Sequence, residues 1–148
     1  MGRTLSFDNG LVSFEVNGIP DAVRFNPTDT DFFRRLYATF EDIDRLCEQY
    51  KLRVNVIDAN DLKAQYNLMV DLDKDITDRI DTVFGDPGLS ARIFTIDGLS
   101  ISPNALAGGL PIWSNFLLAV LEEREDAFKE QEKLSKSRMD KYLKKYKK

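Results

Sequence analysis

A chain of 148 residues, 43% hydrophobic and 31% charged, can close one core, and none of its apolar stretches approaches the ~18 to 20 residues that a membrane helix needs. It has no histidine and a single cysteine, Cys47, which excludes Ser-His-Asp and Cys-His nucleophile pairs, histidine bases, H-E-x-x-H metal sites, internal disulfides and multi-cysteine zinc sites. The net charge of −4 conceals a polarised chain: from Lys133 to Lys148 eight Lys or Arg face only Asp140, so the first 132 residues carry −11.

One domain over residues 1–148 is expected, with residues 1–10 as a flexible N-terminus. The opening "MGRTLSFDNG" lacks the apolar run of a secretory signal, which points to the cytoplasm. Residues 11–25, "LVSFEVNGIPDAVRF", read as a β-hairpin: Val12, Phe14 and Val16 alternate with Leu11, Ser13 and Glu15, Asn17-Gly18 suits a type I′ turn, and Pro20 confines the return strand to a sheet edge. Two strands are marginal alone, so the hairpin must lie on helices or pair with another chain.

Residues 28–84 read as two helices. Pro27 and the Thr/Asp cluster stop the strand and cap the first helix, whose stripe is Phe33, Leu36, Phe40, Ile43, Cys47 and Tyr50. Cys47 lies within that stripe and reads as a small buried residue. After a break at "DAND", Leu62, Tyr66, Met69, Leu72, Ile76, Ile80 and Val83 form a second stripe, and the short connection predicts antiparallel packing. Residues 85–110 read as a short helix and loops, with "SISPNALAGGLP" as a loop-rich bridge. From Pro111 a last helix runs to the C-terminus; at 1.5 Å per residue it would extend ~50 Å and must protrude or kink. The pattern therefore predicts an α+β fold, predominantly α-helical, with an N-terminal β-hairpin packed on a helical bundle and a long C-terminal helix.

Three stretches invite a chemical reading. "GDPG" at 85–88 lacks the spacing and the Lys of a phosphate loop and follows a helix, so Gly85 and Pro87 read as a helix stop. "DLDKDITDRID" places Asp71, Asp73 and Asp75 at alternate positions, yet Ile76 and Thr82 stand where a calcium loop needs Gly and Glu. On a helix, Asp71, Asp75 and Asp78 instead make a solvated acidic face, or a docking face for a basic segment such as the tail of a neighbouring copy. The last helix carries an apolar face of Trp113, Phe116, Leu117, Val120, Leu121 and Phe128, then a small stripe of Met139, Tyr142, Leu143 and Tyr146 among lysines. The first is dense enough for a core or a partner surface. The second suits a helix-in-groove ligand or a nucleic-acid arm. No catalytic, cofactor or metal constellation is visible.

Several segments in this order resemble the tail assembly chaperones of long-tailed phages and prophages of Gram-positive bacteria: "FNPTDTDFFRRLYATFEDIDRL" after a hairpin, "DLDKDITDRIDTVFG", "ARIF", "IWSNFLLAVLEEREDAF" and a basic end with "KYLKKY". The resemblance implies a non-enzymatic protein of the host cytoplasm that binds and solubilises the tape measure protein and helps recruit tail tube protein, with a possible homo-oligomer, no membrane and no cofactor. On that reading Trp113, Phe116, Leu117, Val120, Leu121, Met139, Tyr142 and Tyr146 are the candidate partner-binding residues. The competing reading is a virion or nucleic-acid contact protein acting through the basic end.

Overall fold

The structure is a computed structural model describing residues 2–146, without the side chains of Tyr142, Lys145 and Tyr146. It has the expected predominantly helical α+β architecture. β1 (Val12–Val16) and β2 (Ile19–Phe25) form the antiparallel hairpin, with Val12 opposite Phe25 and a register irregularity after Phe14. Asn17 and Gly18 both take positive φ, 48° and 85°, as a type I′ turn requires. The hairpin lies on the helices of its own chain.

α1 (Thr30–Asn55) begins at Asp29, whose carboxylate accepts the Phe32 amide, and α2 (Leu62–Phe84) begins at Asp61, which caps Ala64 in the same way. Arg35 near the start of α1 donates to the Val83 carbonyl near the end of α2, while Tyr50 near the end of α1 reaches Asp75. The two helices therefore run antiparallel. α2 ends on Gly85 at φ 65°, and the Gly85 and Asp86 amides close back onto Thr82 and Asp81, a left-handed stop that a side chain would strain.

The buried stripe of α1 comprises Phe32, Phe33, Leu36, Ile43, Leu46 and Tyr50, with Phe40 and Cys47 half-buried. In α2 the expected stripe is correct only from Leu72 onward. Leu68, Leu72, Ile76, Ile80 and Val83 are buried, whereas Leu62, Tyr66 and Met69 are exposed. The two rows are turned by roughly a quarter of the helix, and no third helix reaches the row holding Leu62, Tyr66 and Met69.

The bridge before the last helix is more ordered than a loop. After α3 (Leu89–Ile93), β3 (Thr95–Ile96) pairs with β4 (Leu99–Ser100), and β5 (Leu106–Ala107) with β6 (Leu110–Pro111). The turns at Asp97-Gly98 and Gly108-Gly109 again have positive φ throughout. Both hairpins close with the same bond, Ile101 amide to Phe94 carbonyl and Ile112 amide to Ala105 carbonyl, so the unit repeats after 11 residues. Ile101 and Ile112 turn inward against the core.

α4 (Ile112–Tyr146) is a single helix of 35 residues. It starts beside the middle of α1, where Trp113 meets Phe40 edge-on at 5.2 Å, and runs toward the start of α1, where the Arg124 guanidinium lies over Phe33 at 5.2 Å. From Phe128 to Lys141 every side chain is exposed. The helix protrudes without folding back.

A chain of aromatic rings joins these layers. Phe25 of β2 stacks on Phe14 at 4.5 Å and on Phe32 at 5.5 Å, and meets Phe33 and Phe84 edge-on. Phe84 in turn touches Phe116 of α4, which reaches Phe94. The hairpin is held a second time by Arg92 of α3, which donates to the Ala22 carbonyl at 3.0 Å and pairs with Asp86. The Arg92 hydrogen bond holds the Asp86 carboxyl below its usual range. A depressed folded-state pKa gives stability that is present above the ordinary carboxylate value and lost as pH falls through the folded value. Both side chains are about 40% exposed, so the pair contributes under about 1 kcal/mol. Asp86→Asn should accordingly lower stability slightly at neutral pH, and the gap to the parent should close below about pH 4; urea titrations of both proteins across that range check it.

Candidate partner-binding surface

The acids of α2 have structural work. Asp75 accepts the Tyr50 hydroxyl at 2.7 Å, which pushes the Tyr50 phenol up. Asp73 accepts the Ser102 hydroxyl at 2.7 Å and the Asn104 amide at 3.2 Å, clamping the bridge between the two small hairpins onto α2. Asp81 accepts the Ser90 amide at 2.8 Å. Of the three residues expected on a solvated acidic face, Asp71 and Asp78 are exposed, while Asp75 is half-buried and engaged. Among the described residues no group of three acids or cysteines is placed to hold a metal ion.

The Gly85–Gly88 turn is closed to phosphate by its own chemistry. The amides of Gly88 and Ser90, which would have to face an anion, already donate to Asp86 and Asp81. An open groove of about 430 Å³ between α1 and α2 carries Arg34, Arg35 and Arg79 together with Asp42 and Asp78. Arg34 and Arg35 share Asp31, and Arg79 donates to the Asp75 carbonyl. The groove thus mixes both signs of charge on an open surface. Cys47 is half-buried with its thiol 3.6 Å from the Asn104 amide oxygen, and burial pushes it up, away from the thiolate.

The expected partner-binding residues divide sharply. Trp113, Leu117 and Val120 are 1%, 0% and 4% exposed, and Phe116 and Leu121 are half-buried against the same core. These five pack within this chain, the core side of the two alternatives that the sequence left open for this face. The reason is that α4 lies in the angle between α1 and α2, where its apolar face fills against Phe40, Phe84 and Phe94. Met139 is exposed, as a docking residue must be, and so are its neighbours Leu134 and Leu143. The side chains of Tyr142 and Tyr146 lie outside the described residues.

A further exposed apolar surface lies at the end of the α1–α2 hairpin that α4 does not reach. From Lys51 to Lys63 only Ile57 is even half-buried. Leu52, Val54 and Val56 close α1, and Leu62, Tyr66, Met69 and Val70 open α2, all exposed, Val56 by 84%. Leu62, Tyr66, Met69 and Val70 recur at helical spacing along one side of α2, and one turn further on the same side Asp73 holds the bridge. Thus the lower part of this face is covered by the chain itself and the upper part is bare. Scattered exposed leucines need no explanation, but an apolar stripe continuing a packed face does. The sequence contained this signal as two overlapping apolar rows in α2; periodicity alone did not say which row the fold would cover.

Among the described residues no helix is long and apolar enough to cross a membrane. Compared with protein-family profiles, curated proteins and solved structures, the chain matches none of them.

Proposed function

We propose that this protein is a non-enzymatic assembly chaperone whose client is a long helical polypeptide with an exposed apolar side, the tape measure protein of a phage tail, held in the host cytoplasm while tail tube protein is recruited. The observation that carries the reading is the bare end of the α1–α2 hairpin. Two antiparallel helices with Val54, Leu62, Tyr66 and Met69 uncovered offer one face of a three-helix bundle. An apolar client helix completes it by laying its own stripe into the groove. The acidic body keeps the loaded complex soluble, and several copies along one client multiply modest affinities.

The test is co-expression with a helical fragment of the tape measure protein. The intact chain should give a soluble complex that survives moderate salt. The double variant Leu62→Glu/Tyr66→Glu alters only exposed side chains, and it should leave folding intact while cutting affinity roughly tenfold or more. Equal recovery of the client by parent and variant would remove the groove from the reading. Binding to DNA that weakens steeply with salt and depends on the exposed bases of α4 would favour the nucleic-acid contact reading instead.

A further inference from the structure

A two-stranded sheet has two edges, and here only that of β2 is closed. β2 lies against α3, where Arg92 occupies the Ala22 carbonyl, and Pro20 has no amide to offer. Among the described residues β1 pairs with β2 alone, and residues 2–10 make no strand pair that would fill its other side. An open edge is a template for another strand. We propose that the edge of β1 is a homodimer contact, in which two copies pair β1 against β1 antiparallel to make one four-stranded sheet.

Backbone parity fixes the register. Val16 and Ile19 flank the two-residue turn, so Val12, Phe14 and Val16 bond toward β2, while Ser13 and Glu15 turn their N–H and C=O groups to the open side. An antiparallel pair centred on Phe14 sets Ser13 of each copy opposite Glu15 of the other, each exchanging both backbone hydrogen bonds. The same register lays Val12 against the second copy's Val16, and Phe14 against its own counterpart, with Cα atoms about 4.5 Å apart. What selects a second copy is the strand itself: Val-Ser-Phe-Glu-Val has its apolar residues at the same places in either direction, so it complements itself across a two-fold axis. Val12 is 40% exposed, and Phe14 and Val16 are half-buried, an apolar row left incomplete on the side where the second copy would continue it. On the opposite face Arg24, across from Ser13, has no ion pair among the described residues, and the second copy's Glu15 would stand about 10 Å away, within reach of the two side chains. Asp21, the other acid there, is held by the Ser13 hydroxyl. The hairpin sits on Phe32 and Phe33 at the start of α1, about 30 Å from the bare tip at its end. Pairing therefore leaves both tips free, and a pair can bring two grooves to one client.

The inference goes beyond the client groove and does not depend on it. Sedimentation of the full chain up to about 1 mM should show the parent approaching the mass of a dimer as concentration rises. Glu15→Pro removes one outward amide at an exposed position of β1 and no bond to β2; it should stay monomeric with the parent's circular dichroism. A second measurement leaves the edge intact. In a Cys47→Ser background, Val12→Cys and Val16→Cys are oxidised in air, separately and as an equimolar mixture. The mixture should form a disulfide-linked heterodimer several-fold faster than either variant links to itself, because this register brings only position 12 of one copy and position 16 of the other within disulfide range. A parent that remains monomeric, association undiminished in Glu15→Pro, or linkage no faster in the mixture than in the separate solutions overturns the proposal. Capture of the tape measure fragment separates the two ideas: Glu15→Pro retains it where the chaperone reading holds, and Leu62→Glu/Tyr66→Glu still dimerises whether or not the client binds.

Discussion

Trp113→Ala is expected to remove about 3–5 kcal/mol of folding stability, enough to leave a domain of ordinary stability partly unfolded at 37 °C. Trp113 is the first large side chain of α4 and 1% exposed. Its ring meets Phe40 of α1, and its amide donates to the Pro103 carbonyl at 2.8 Å, so the residue fixes both the helix and the bridge that leads into it. No neighbouring side chain can collapse into a hole of that size without moving α4. The indole N–H meets no acceptor among the described residues. Trp113→Phe deletes that buried donor together with part of the ring, and an unpaired buried donor costs about 1–3 kcal/mol. The phenylalanine variant should therefore lie far closer to the parent than the alanine variant does. Urea unfolding followed by circular dichroism measures both. If alanine at 113 is tolerated within about 1 kcal/mol, α4 is not packed as described.

The same residue shows where sequence and structure part company. An apolar helical face looks alike whether it meets its own core or a partner, and "IWSNFLLAVL" contains nothing that separates the two. What decides is the presence of Phe40, Phe84 and Phe94 on elements that converge only in three dimensions. Local signals were legible because local geometry produces them: Asn17-Gly18 for its turn, Asp29 for its cap, Gly85 for its stop. The small hairpins were not, since strands of two residues carry no period. Their turns, Asp97-Gly98 and Gly108-Gly109, nevertheless belong to the dipeptide class recognised at Asn17-Gly18. The stripe of α2 failed for a related reason. With Leu62, Tyr66, Leu68, Met69 and Val70 crowded into three turns, two rows fit the helical period, and the packing of α2 against α1 and α3 makes one core while the other stays exposed.

Phe25→Ala should have the second large effect, about 3–4 kcal/mol, and a different signature. A two-stranded sheet has too little interior to persist by itself, and Phe25 is the ring through which this one is fastened, with Phe14 on its own sheet and Phe32, Phe33 and Phe84 on the helices. The remaining ties of the hairpin are the buried Ala22 and Val23 and the two bonds from Arg92 to the Ala22 carbonyl. Loss of the ring leaves those ties without their packing, so the hairpin should open at lower free energy than the helices. In hydrogen exchange, the amides of Val12 to Phe25 should lose protection in Phe25→Ala while those of Leu72 to Ile80 stay close to the global limit. Trp113→Ala, acting where α4 and the bridge meet the middle of α1, should lower both sets together. Uniform loss of protection in both variants would mean that hairpin and bundle form one cooperative unit, with Phe25 merely one more core residue.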